Sequence, residues 1–232
     1  MDNLSIIKAT TLATALFVIS GVTEAKEESK KIIISACDHE KINEQLPDNR
    51  RIELLWSCNK KDQAIELAQH GAKSGSATEI NRYLRVLAAN NNPSPGLAYA
   101  IKGAESGDTE SARWVMRISE IHNIESLDHK IGQWLLKPIT DPNIYAYPIL
   151  DEYIRYAISH SSKENYVPIS YSLAFFSLSR PRLDEREIKN LSPLMEKLKK
   201  ISNDLDIKSK ADGEVGHIIN LVKKSEKQLP HE

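Results

Sequence analysis

Two cysteines, three phenylalanines, three methionines and nine glycines in 232 residues are a sparse allotment, and each scarcity removes a class of protein. Two cysteines are too few for a disulfide-dense miniprotein or a run of thiolate zinc modules. The scattered glycines form no phosphate-cradling loop. No pair of histidines sits one helical turn apart as in the zinc proteases, and no serine stands in a nucleophile-elbow pattern. An excess of one charge is also missing: lysine plus arginine number 31 against 32 acidic residues. A nucleic-acid binder normally concentrates basic charge on one surface, so this balance argues against one. Nor is there a long apolar run. The uncharged stretch Ala9–Val22 near the start has 14 residues, where a membrane span needs about 20.

That short stretch carries another meaning. Lys8 precedes it and Thr23-Glu24-Ala25 comes after it with small residues where a signal peptidase reads, so residues 1–25 are expected to be a cleaved secretory signal, with the mature chain starting near Lys26. Removing Lys8, Asp2 and Glu24 leaves 30 charges of each sign. The destination expected is the bacterial periplasm, an oxidising compartment. There, Cys37 and Cys58 are most economically read as a disulfide that staples the segment 26–61 to the helical part of the chain. A sharper reading gathers Cys37, Asp38, His39 and Glu40 into a metal or catalytic site, but four adjacent side chains cannot converge on one ion and no spaced second ligand pair accompanies them. The residues therefore call for no metal and no cofactor.

From Arg51 onward apolar residues recur at helical spacing, starting with Ile52, Leu55 and Trp56. Between Ala64 and Met116 a phrase then nearly repeats. Ala68, Gly71, Ala72, Ser74 and Gly75 return as Ala100, Gly103, Ala104, Ser106 and Gly107, each 32 residues later. An offset near 32 is that of helical hairpins that stack because one hairpin cannot bury its apolar face alone. The two hairpins are expected at Asp62–Lys73 with Thr78–Ala89, and at Leu97–Glu105 with Thr109–His122. The proline-rich stretch Asn90–Gly96 is expected to connect them without helix. Gly71 and Gly103 sit inside helices, where glycine is costly, which suggests crowded crossings; Gly75 and Gly107 come just after helices and suit left-handed caps.

The run Ala98-Tyr99-Ala100-Ile101-Lys102-Gly103-Ala104-Glu105-Ser106-Gly107, followed by Ala112 and Trp114, resembles the Sel1-like subclass of tetratricopeptide-type repeats. The family's glycine-rich loop before each unit is missing and its period is longer. The resemblance covers residues 62–122 and implies an all-α solenoid of helical hairpins serving as a protein-binding adaptor. Some secreted relatives of this type neutralise toxins delivered by competing bacteria, so an immunity or inhibitor role is one form of that expectation.

Residues 123–232 keep the helical signal but lose the repeat. Helices are expected at Ser126–Leu136, stopped by Lys137-Pro138, at Tyr145–His160, and at the apolar stretch Val167–Leu178. Two charged amphipathic helices, Glu185–Ile201 and Glu214–Lys227, are expected to cap the stack. No catalytic residue is assigned. His129 beside Asp128, and His160 near Glu164, are the nearest approach to acid–base pairs, though lone histidines more commonly cap or decorate a surface. An envelope enzyme such as a cell-wall hydrolase, its acids gathered from distant helices, is the alternative function. For a binding surface, the offset aligns Arg85 with Arg117 and Arg82 with Trp114. Arginine and tryptophan are enriched at interface hot spots. These four are the binding candidates, against the reading that Trp114 fills the core and the arginines are solvated. The side holding Tyr83, Tyr99 and Lys102 is the second choice.

Overall fold

A computed structural model of the protein describes Cys37 and residues 46–226. The expected signal, the apolar run Ile32–Ala36 and the residues Asp38–Glu40 lie outside the described residues. Those described are all-helical, with ten α-helices, three short 3-10 turns and no strand. They divide into two compact units, with the boundary between Gly71 and Ala72.

The first unit contains α1 (Asp48–Ser57) and nearly all of α2 (Lys61–Ala72). Helix α1 buries Ile52 and Leu55 and ends at Cys58, where the chain meets Cys37 in a disulfide with its Cα atoms 5.4 Å apart. The expected staple is present. Lys61 lies 5.3 Å from the Trp56 ring centroid, a cation over an aromatic face that holds the start of α2 against the end of α1. Ala64, Ala68 and Ala72 are fully buried along α2, and Gly71 is half-buried.

The second unit runs through α3 (Ala77–Ala89), α4 (Leu97–Glu105), α5 (Thr109–His122), α6 (Asp128–Thr140), α7 (Tyr147–His160), α8 (Val167–Ser179), α9 (Glu185–Asp204) and α10 (Lys208–Glu226). Each of these helices packs on the next. In addition α3, α5, α7 and α9 touch in succession, as do α6, α8 and α10. Helix α8 is the most apolar and is buried over most of its surface, with Ile169, Tyr171, Ala174 and Phe175 all inside. Phe175 meets Tyr153 at 5.0 Å and Tyr171 at 5.5 Å between ring centroids, the aromatic centre of the unit.

Positions paired by the 32-residue offset behave alike. Ala68, Ala72, Ala100 and Ala104 are buried, as are Ile80 with Ala112, Leu84 with Met116, and Leu87 with Ser119. Gly75 and Gly107 both take left-handed backbone, φ 81° and 91°. The same device recurs without glycine. Asn59, Asn91, Asn123 and Asp206 each adopt φ between 53° and 58° just past a helix, because short polar side chains tolerate that region best. The next residue's N–H then reaches back over the last turn, as from Asn92 to Leu87 O and from Ile124 to Ser119 O.

Gly103 stands where α4 crosses α5: a Cβ added there would fall 2.7 Å from Ser111 Cβ. This is the crowded crossing the recurrence suggests. A second one was not legible in the repeat. Gly132 on α6 lies against the face of the Tyr171 ring, 2.5 Å from where its Cβ would be.

Among the boundaries that depart from expectation, three have a clear physical reason. The connection after Asn90 is partly helical, with a 3-10 turn over Ser94–Gly96 that runs straight into α4. Proline is compatible with such a first turn because its fixed φ matches and its missing N–H would be unpaired there anyway. Helix α6 passes through Pro138 to Thr140 instead of stopping. Pro138 costs it the bond to Trp134, but Pro138 and Ile139 are both buried, and only one further turn has to tolerate the loss. The last helix begins at Lys208, ahead of Glu214, because Ala211 is buried and draws that turn into the helix, Gly213 included.

Candidate functional site

The four binding candidates lie on α3 and α5, and the structure assigns them different surroundings. Arg85 is the exposed one, its side chain 69% accessible and 3.9 Å from Glu110. Arg82 is held to Glu79 one turn earlier on α3. Trp114 is buried, with its indole Nε1 lacking a hydrogen-bond partner. Arg117 lies over the Trp114 ring, 4.9 Å from its centroid, and donates from Nε to Glu152 on α7 at 2.6 Å.

These contacts continue into residues that the repeat did not single out. Arg113 binds the other carboxylate oxygen of Glu152 at 2.6 Å and reaches Glu110 at 3.2 Å. The charges therefore run Arg85, Glu110, Arg113, Glu152, Arg117 across α3, α5 and α7. Glu152 accepts from two guanidinium groups at once, each by a charge-assisted bond. The row ends at α3 in its most exposed member. Glu110, Arg113 and Arg117 at helical spacing were visible in the sequence as one face of α5, whereas Glu152 had no such sign because it arrives from α7. The second-choice side is less accessible than its residue types suggest: Tyr83 is buried and meets Tyr99 edge-on at 5.3 Å. Burial, with the neighbouring Tyr99 adding to it, pushes the Tyr83 hydroxyl up.

A buried polar cluster joins the start of α6 to the end of α7. Asp128 and His160, assigned by their neighbours in sequence to two separate pairs, face each other, His160 Nε2 standing 3.5 Å from Asp128 Oδ1. Tyr156 donates its hydroxyl to Asp128 Oδ1, and Asn165 Nδ2 donates to Asp128 Oδ2 at 2.5 Å. The His160 ring stacks on Tyr156 at 4.7 Å. Burial raises the Asp128 carboxyl, against the lowering effect of the Tyr156 and Asn165 hydrogen bonds and of His160. The Tyr156 hydroxyl is raised by burial and by donation to that carboxylate. The side chains of His160 and Asp128 are 2% and 1% exposed, so this acid–base pair has no path to an external substrate. Its role is to join α6, α7 and the loop bearing Asn165. His129 turns elsewhere, 3.0 Å from Gln133 and edge-on to Tyr171.

Among the described residues no group of three or more histidine, cysteine or acidic side chains is placed to hold a metal ion, and no helix is long and apolar enough to cross a membrane. No family model matches the chain, and neither a curated protein nor a solved structure matches it.

Proposed function

We propose that the chain is an exported helical-repeat scaffold of the periplasm, cleaved after Ala25, that binds another protein. The observation that carries this reading is the succession of α3 to α10, in which each helix meets the next and most meet the next but one. A Sel1-like or tetratricopeptide-type solenoid is built in this way, from units that contact only their neighbours and present their helices in rows. The Cys37–Cys58 disulfide supports an oxidising destination. The α3 end of the charged row is the docking surface, with Arg85 as its most exposed cation and Arg82 beside it; Arg117 and Trp114 stiffen the row from behind. An acidic partner suits that end. An immunity or inhibitor protein against a delivered toxin is the specific form of this role, resting on the resemblance alone.

Affinity capture from the native cell envelope tests the reading. The wild-type chain is expected to retain one protein in stoichiometric amount, and Arg85→Ala to lose most of it while still folded. Release of soluble fragments from peptidoglycan by the purified chain would instead move the function to the envelope-hydrolase alternative.

A further inference from the structure

A cleft of about 300 Å³ opens in the second unit, away in sequence from the repeat. Its walls are the α6–α7 loop from Pro142 to Ala146, the start of α7 at Tyr147, the end of α8 at Ser179, and Arg182 with Leu183 in the turn after it. The volume is at the lower end of what small-ligand sites occupy.

Three features separate it from a chance gap. Its rim holds two of the chain's exposed large apolar side chains, Ile144 and Tyr145, and Tyr145 is 66% exposed. That tyrosine is nevertheless fixed: its hydroxyl donates to Glu187, whose other carboxylate oxygen accepts from the Asp184 N–H in a capping box at the start of α9. An exposed ring that is already immobilised loses little entropy on binding. The Tyr145 and Tyr147 rings lie 6.2 Å apart and tilted by 31°, and Asn190 donates to the Tyr147 hydroxyl at 3.4 Å. Second, Ser179 is fully buried in the lining, yet its Oγ has no hydrogen-bond partner, which is uncommon for a buried hydroxyl. Third, Arg182 is pinned by donating to Ile139 O and Asp141 O at the end of α6. Those bonds use two of the guanidinium's five N–H donors.

We propose that this cleft binds a carboxylate carried on an apolar or aromatic body, the exposed Arg182 guanidinium receiving the carboxylate and Ile144, Tyr145 and Tyr147 flanking the body. The polarity of the site sets the orientation. Glu187 sits at the Tyr145 hydroxyl, where with burial and Asp184 it pushes that hydroxyl up to about 12, so the anionic end of a ligand turns toward Arg182. The C-terminal residue of a polypeptide and a free organic acid share this chemistry.

The full chain titrated calorimetrically with 3-phenylpropionate, with 3-phenylpropionamide, and with a Gly-Gly-Leu-Phe peptide having a free or an amidated C-terminus tests the assignment. The free acids are expected to bind and the amides to bind at least about tenfold more weakly, the scale of a charge-assisted bond. Binding by the peptide acid alone identifies a polypeptide C-terminus; binding by 3-phenylpropionate at equal or greater strength identifies a free acid. Arg182→Gln is expected to weaken the acids by about tenfold while leaving the amides unchanged, and Tyr145→Ala to weaken acids and amides alike by about tenfold. Amides that match the acids, no heat from any probe at millimolar concentration, or full affinity in both variants would overturn the proposal.

Discussion

Asp128 and His160 meet inside the second unit, 3.5 Å apart, although 32 positions separate them and each has a different polar neighbour in sequence. Asp128 also takes hydrogen bonds from Tyr156 and Asn165, so its removal orphans two buried donors at once. Asp128→Ala is expected to cost about 3 kcal/mol in urea unfolding. The same cluster sets a pH dependence. Burial raises the native Asp128 carboxyl above its unfolded value, near 4 in a free chain, so the native state keeps this proton to higher pH. The stabilisation is complete below the unfolded value and is lost as pH rises through the native one. The difference in stability between wild type and Asp128→Asn, measured from pH 3.5 upward, should carry that slope; a pH-independent difference would contradict it.

Gly103 and Gly132 are expected to tolerate no side chain cheaply. Gly103→Leu must displace Ser111, and Gly132→Leu must displace the Tyr171 ring, so each should cost about 1 to 3 kcal/mol or more by overpacking. Gly216→Ala supplies the contrast. That glycine is helical with nothing near its Cβ position, and the change should stabilise by up to about 1 kcal/mol. Thermal melts of the three variants read out the sign directly.

The charged row predicts a graded series. Arg85→Ala, at an exposed and loosely paired site, should leave stability within about 0.5 kcal/mol of wild type. Glu152→Ala should cost about 1 kcal/mol or more, because it strips the shared acceptor from Arg113 and Arg117. Arg117→Ala also uncovers the Trp114 ring. A binding defect in Arg117→Ala therefore has to be judged against its own melting temperature, whereas one in Arg85→Ala does not.

Reduction of the Cys37–Cys58 bond, whose partners are 21 positions apart, should destabilise the first unit by roughly 3 kcal/mol on the chain-entropy view. Amide exchange measured with and without reductant should show lost protection in α1, with α7 and α8 unaffected. Two free thiols in protein taken freshly from the cell envelope would remove the support for an oxidising destination.

The helices of this chain arise from its local chemistry. The spacing of apolar residues placed α4 at Leu97–Glu105 and α5 at Thr109–His122 with no error, and the left-handed glycines at 75 and 107 were legible because only a few residue types end a helix in that way. The disulfide was equally legible, since two cysteines leave one possible pair. Where burial competes with local preference, the sequence misleads: Pro138 stays in its helix because its neighbours pack inside. The sites depend on the tertiary structure to a greater degree. Glu152 reaches Arg113 and Arg117 from another helix, Asp128 exchanges its neighbour His129 for His160, and Ser179, Tyr145 and Arg182 surround one cleft from three separate segments. A helix is decided by contacts three and four residues apart, which a single sequence displays, whereas a site is decided by which helix faces come together, and that depends on the summed packing of the whole unit.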